Sequence, residues 1–156
     1  MEEKTNVMRI IEQKKIQYTA HEYLDTGAIS GLEVAEALNE NPKSVFKTLV
    51  TVGKSGEHFV FLVPVNGELD LKKAAKAVGE KKIEMIKSKD LLPLTGYIHG
   101  GCSPIGMKKN FKTVIDESAK DQEKIFFSAG KIGHQIEMKV GDLGKIINFK
   151  FEDILE

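Results

Sequence analysis

Lys47 is the residue whose placement most asks for a chemical reading. It stands inside the apolar run Val45-Phe46-Lys47-Thr48-Leu49-Val50, and a lysine beside a sheet core is desolvated unless a carboxylate, phosphate or carbonyl compensates its charge. Such a lysine either reaches out to solvent, as strand lysines ordinarily do, or holds an anionic or carbonyl-bearing ligand. Two glycine-bearing stretches, Gly100-Gly101-Cys102-Ser103-Pro104-Ile105-Gly106 and Gly130-Lys131-Ile132-Gly133, are the other candidates. Loops of this kind either turn the chain tightly between strands or bring backbone amides against a substrate oxygen where a side chain would block the approach.

Other chemistries are excluded by spacing. Cys102 is the single cysteine, so it forms no internal disulfide. With no flanking histidine or helix N-terminus to lower its pKa, it is expected to be a small semi-buried residue rather than a nucleophile. His21, His58, His99 and His134 form no close pair, and without CxxC or HExxH spacing no metal is expected. Residues 101–108 imitate a phosphate-binding loop until Met107 occupies the position that requires lysine. Ser103 lies in GCSPI rather than in a GxSxG elbow, and no GxGxxG fingerprint is present. No cofactor is expected.

The elements that must position these residues are legible in part. Val7, Ile10 and Ile11 share a face of a first helix, and Ile16 to Tyr23 reads as a strand. Ser30 and Glu33 have capping-box spacing ahead of Val34, Ala35 and Leu38, which predicts a second helix ending near Asn39. Val45 to Val52 and Glu57 to Val65 read as a hairpin around the turn residues 53–56. Asp70 caps a third helix whose Leu71, Ala74, Ala75 and Val78 form one face, with Gly79 as its stop and Lys72, Lys73 and Lys76 facing outward. A short strand at Ile83 to Ile86, a helical turn capped by Ser88, and a strand at Gly96 to His99 precede the first glycine loop. Strands at Thr113 to Ile115, Ile125 to Ser128 and Gln135 to Lys139 follow, and a helix near Asp142 to Ile147 closes the chain. Helices early and strands late predict an α+β fold with a mixed sheet rather than a doubly wound one.

The 156 residues, 41% hydrophobic and 29% charged, suit one globular domain spanning the whole chain, 1–156. A start at Met1-Glu-Glu-Lys without a leader or a long apolar run reads as cytoplasmic, with no membrane contact. Formal charge is zero, yet residues 72–112 carry ten basic groups against three acidic ones. That block is either a solvated lysine-coated face or a surface that meets phosphates. Arg9 is the only arginine, so any nucleic-acid contact is led by charge and shape rather than by bidentate base readout.

Taken together, VFKTL at 45–49, LDLKKAAK at 69–76, Gly96-Tyr97, GGCSPIGMKK at 100–109 and SAGK at 128–131 resemble the YbaK/ProX family of free-standing aminoacyl-tRNA deacylases. These are relatives of the editing domain inserted in bacterial prolyl-tRNA synthetases. The resemblance runs over nearly the whole chain, and the loop is closer to the YbaK branch, which clears cysteine from mischarged tRNA(Pro), than to the alanine-editing branch. It implies a compact single-domain α+β fold with a mixed, mostly antiparallel sheet flanked by helices, and a pocket for the aminoacylated 3′ end of tRNA. It further implies that Lys47 is the essential lysine and that Tyr23 and Thr48 border the pocket. The walls would be Gly100, Gly101, Ser103, Pro104 and Gly106 with Ser128 and Gly130. Where YbaK-like sequences commonly carry an aspartate, this chain has Gln135 after His134, so any orientation of the substrate's α-amino group falls to an amide or a neighbour. The implied partners are the mischarged tRNA and prolyl-tRNA synthetase. The implied chemistry is attack of the substrate's own thiol on its ester, polarised by loop amides near Gly101 to Ser103. Alanine editing by the same fold and a catalytically silent tRNA- or synthetase-binding module are the alternatives.

Overall fold

Helix boundaries follow the local chemistry of the sequence. In the computed structural model, which describes residues 4–156, α1 (Asn6–Gln13) starts at Thr5, whose side chain accepts from Met8 N–H, and buries Val7, Met8 and Ile11. The reading of the chain's start concerns residues 1–3 and lies outside the described residues. Helix α2 (Gly31–Ala37) opens on the complete capping box of Ser30 and Glu33. Helix α3 (Leu71–Val78) opens on Asp70, which accepts from Lys72 and Lys73 N–H, and stops at Gly79 with φ +73°, a left-handed conformation that glycine adopts without penalty.

The strands β1 (Thr19–Glu22), β2 (Phe46–Gly53), β3 (His58–Pro64), β4 (Ile83–Met85), β5 (Lys112–Asp116), β6 (Lys124–Ser128), β7 (His134–Lys139) and β8 (Phe149–Glu152) form two sheets. One is the antiparallel triple β1-β7-β6. The other runs β4-β2-β3-β5-β8, with β3, β5 and β8 mutually parallel and the β4-β2-β3 pairings antiparallel. The expected single sheet is therefore two, tied by one parallel bridge between Val45 and Phe126. The main core, with Phe46, Leu62, Ile105, Phe127 and Ile136, joins elements of both sheets and α1. A second cluster packs α3 onto Phe59, Phe61 and Val63 of β3.

Four local expectations are corrected. Gly96 to His99 is not a strand: Gly96, at φ +87°, ends the helix α4 (Ser88–Thr95). That helix is two turns long despite Pro93, and Lys87 rather than Ser88 occupies its N-cap position, with no side-chain cap. The closing helix is the single turn α5 (Val140–Leu143), and the chain ends in β8, which the sequence reading missed. Lys72 and Lys76 are exposed as expected, whereas Lys73 turns back to Asp153 (3.1 Å) and to the Leu155 carbonyl (2.7 Å).

Candidate active site

The strand carrying Lys47 has one incompletely covered edge. β3 pairs with β2 along its length, but β4 reaches only Thr51 to Gly53. Val45 O accepts from Val65 N, while Val50 O accepts from Ile86 N on the opposite side. Because successive residues of an antiparallel strand aim their N–H and C=O alternately to either side, the N–H and C=O of Thr48 point toward the open edge. They fall between the Val45–Phe126 bridge and β4. Here a cavity of about 810 Å³ opens, and because it lies along an edge it meets side chains of both strand faces, Lys47 as well as Thr48.

Several residues singled out from the sequence converge there. Tyr23, Lys47, Thr48, Gly100, Ser128 and Gln135 all line this cavity. Two of its positions come from β-sheet register: Gln135 and Ser128 are directly opposite one another across β7 and β6, with His21 of β1 opposite Gln135 in the same row, which puts all three on the same sheet face. Tyr23, 6% exposed, is anchored through its backbone N–H to Gly133 O at 2.8 Å. Lys47 Nζ has Glu68 at 3.7 Å, and the Glu68 side chain is 75% exposed. So loose and solvated a pairing costs little to break, and it leaves the ammonium accessible to a ligand. The buried Thr48 hydroxyl has no hydrogen-bond partner.

The remaining positions lie behind the cavity or beside another. Gly101 does not line it; its N–H is spent on Ile98 O at 3.0 Å, and a Cβ there would stand 3.1 Å from Ile132 N. The two glycine loops thus pack on each other. Ser103 is fully buried and its hydroxyl accepts from Ile105 N–H. Gly106 and Gly130 make room for Tyr97: a Cβ would lie 2.8 Å from the Tyr97 hydroxyl at the first and 3.0 Å from Tyr97 Cε1 at the second. Pro104 and Gly106 line a separate cleft of about 670 Å³. The expected oxyanion donors at Gly101 to Ser103 are therefore corrected in one respect, since the Gly101 amide is already satisfied.

The sequence reading did not select Cys102, His99, His134 or Glu68, which also line the cavity, nor its apolar rim of Ile29, Leu32 and Met85. Ile29 is 80% exposed. Only tertiary placement distinguishes these residues from ordinary surface apolar groups. Cys102 is held protonated, burial pushing its thiol up to about 12, so it supplies no thiolate at neutral pH. No group of three or more histidine, cysteine or acidic residues able to hold a metal occurs among the described residues.

Residues 29–146, which supply most of this cavity, match the aminoacyl-tRNA editing domain family. The chain belongs to that family. It is 47% identical, over 98% of its length and 94% of the relative's, to an Enterococcus faecalis protein provisionally assigned as a Cys-tRNA(Pro)/Cys-tRNA(Cys) deacylase, EbsC. It is 29% identical over 76% of its length to a proline--tRNA ligase of Brachyspira hyodysenteriae, of which it spans 21%. Its fold superposes on a crystal structure described as a candidate trans-editing enzyme for prolyl-tRNA synthetase, with a TM-score of 0.83 at 21% identity over 99% of both chains. No helix among the described residues is long and apolar enough to cross a membrane.

Proposed function

We propose that this protein deacylates tRNA(Pro) wrongly charged with cysteine, acting in trans in the cytoplasm on the substrate's 3′ end, with prolyl-tRNA synthetase as the partner that supplies it. The observation that carries the reading is the position of Lys47: a loosely paired ammonium on the wall of a cavity that also holds Tyr23, Ser128 and Gln135. Lys47 binds the 3′-terminal phosphate or ribose and fixes the ester. The exposed apolar rim of Ile29, Leu32 and Met85 offers a face to the terminal adenine. The Thr48 N–H at the open edge of β2 polarises the ester carbonyl.

With Cys102 protonated, the nucleophile is the substrate's own thiol. A bond forms between its sulfur and its own carbonyl carbon, the bond from that carbon to the ribose oxygen breaks, and the thiol proton passes to the departing hydroxyl. The products are a four-membered cyclic thioester and free tRNA. Intramolecular attack carries large effective molarities, on the order of 10⁵ M in well-oriented cases, which ring strain reduces here. A hydroxyl in place of the thiol is a far weaker nucleophile near neutral pH.

The test is single-turnover deacylation of Cys-, Ala- and Ser-tRNA(Pro) by the wild type and by Lys47→Ala, against enzyme-free controls. Cysteine released fastest, with at least a hundredfold loss in Lys47→Ala, is the expected result. Comparable release of serine would refute the thiol step. Preferential release of alanine would move the protein to the alanine-editing reading, and no release from any of the three to a binding module.

A further inference from the structure

Behind the cavity wall lies a group that the mechanism above does not use. Glu40 follows α2, its backbone N–H bonded to Ala35 O at 2.8 Å, and both its carboxylate oxygens are shut off from solvent without a hydrogen-bond partner. The Gln135 amide, on the cavity wall and 3% exposed, lies within reach of that carboxyl, and its Oε1 is also buried and unpartnered. The Gln135 amide favours the ionised Glu40 carboxyl as a donor but closes no well-formed bond to it, so three buried acceptor oxygens remain unmet. An unmet buried polar group is costly, and two rearrangements cure the defect. A proton on Glu40, with a half-turn of the amide that exchanges nitrogen and oxygen at almost no steric cost, lets it donate to Gln135 Oε1, or a small approach of Gln135 Nε2 completes its bond to an ionised Glu40.

We propose that Glu40 and Gln135 form a proton-gated pair. Ionised Glu40 accepts from Gln135 Nε2 and turns Oε1 toward the α-ammonium of the bound aminoacyl group, whereas protonated Glu40 donates to Oε1 and presents the amide N–H groups to the cavity instead. Glu40 is thus a positioning residue, acting on the ligand only through Gln135. Burial holds its carboxyl up at about 7, opposed by the Gln135 amide and by His21 and reinforced by Glu137, so both forms are populated near neutral pH. The charged and titratable groups facing it are His21 on β1 and Glu137 on β7, which bond to each other at 2.9 Å. The inference rests on the deacylase reading, because it assigns the ligand's ammonium to Gln135.

The experiment measures binding of a non-hydrolysable 3′-amide analogue of cysteinyl-adenosine, and of its N-acetylated form, to wild type, Glu40→Gln, Gln135→Leu and the double variant at pH 6 and pH 8. Titration of the analogue's own amine is common to all four proteins and cancels in their ratios. Glu40→Gln is uncharged at every pH, so it lacks the charge-assisted bond that favours the high-pH arrangement and cannot titrate between the two. The expected result is wild-type affinity about tenfold above Glu40→Gln at pH 8, the size of one charge-assisted hydrogen bond, and equal to it at pH 6. The N-acetyl analogue should show no difference, and Gln135→Leu should abolish the effect of Glu40→Gln. A ratio independent of pH, equal losses on the acetylated analogue, or a Glu40 effect surviving in Gln135→Leu would overturn the proposal. Because binding is read without turnover, a wild type that binds the analogue with this pH dependence yet releases no amino acid would sink the deacylase reading and leave the pair standing.

Discussion

Gly31→Ala puts two physical terms in opposition. Gly31 is the first residue of α2, without an unusual φ, so by helix propensity alone alanine there should gain up to about 1 kcal/mol. The tertiary structure predicts the reverse. A Cβ on Gly31 would lie 2.3 Å from Val65 Cγ1 and 3.0 Å from Val65 Cβ, well inside the contact distance of roughly 3.5 Å. Val65 is 6% exposed and packed with Ala35 and Val45, so it has little room to yield, and the start of α2 must move outward by about 1 Å or more. Overpacking of this kind costs about 1–3 kcal/mol, leaving, after the propensity gain, a net loss of up to about 2 kcal/mol and a Tm lowered by up to roughly 8 °C for a chain of this size. Ser30, Gly31, Leu32 and Val65 all line the cavity, so the same displacement should cut single-turnover deacylation by about 10–100-fold. Thermal unfolding of Gly31→Ala, Val65→Ala and the double variant, with deacylation of Cys-tRNA(Pro) alongside, reads both effects. Removing the Val65 methyls should relieve most of the clash, so the double variant should be less destabilised than the sum of the singles by at least about 0.5 kcal/mol. A Gly31→Ala protein as stable and active as wild type, or additive singles, would refute the close approach of α2 to β3 as the feature that shapes the cavity wall.

Other consequences concern single groups. Cys102→Ala should keep deacylation within about threefold of wild type, since a thiol of pKa about 12 is ionised in only roughly one molecule in 10⁵ at pH 7; rapid-quench assays showing abolished activity would restore Cys102 as a nucleophile. Glu40, raised from the ordinary carboxylate value to about 7, holds its proton more tightly folded than unfolded. Its contribution is therefore favourable below about pH 4.5 and is lost as pH rises to 7 and beyond, on the order of 1–3 kcal/mol. Urea unfolding at pH 5 and pH 8 should show that decline in wild type and not in Glu40→Gln; parallel declines would contradict it. Asp116, 2% exposed, accepts from Ile154 N–H and Ser118 N–H, each at 3.1 Å. Asp116→Ala orphans both donors and should cost about 2–4 kcal/mol in chemical denaturation, with Asp116→Asn losing less; an unchanged midpoint would show that water replaces the carboxylate.

Legibility differed by element. The Ser30–Glu33 box, the Asp70 cap and the Gly79 stop were visible in the sequence because each is a contact between residues a few positions apart. The β2–β3 hairpin was visible because its turn and its apolar strands are contiguous. Strand β8, only four residues long with the pattern Phe-Lys-Phe-Glu, carries too short a signal and exists through its parallel pairing with β5. Gly96 was misread as the start of a strand because the sequence does not show that its left-handed φ ends α4. At the site, Lys47, Tyr23, Thr48, Ser128 and Gln135 could be named from the family resemblance. The residues beneath and around them, Glu40 and the Ile29, Leu32 and Met85 rim, could not, since each is unremarkable until a distant segment packs against it.

The sequence by itself determined where α2 and α3 begin and where α3 ends, the central hairpin, the α+β class and the family, because these depend on short-range caps, turn residues and the order of motifs. The tertiary structure alone decided that β4 stops at Thr51 and leaves Thr48 on an open edge, that the Gly101 amide is spent on Ile98, and that Glu40 sits unpartnered within reach of Gln135. Each of these is a relation between segments far apart in the chain, and such relations are set by which surfaces exclude water together rather than by any local preference of the residues concerned.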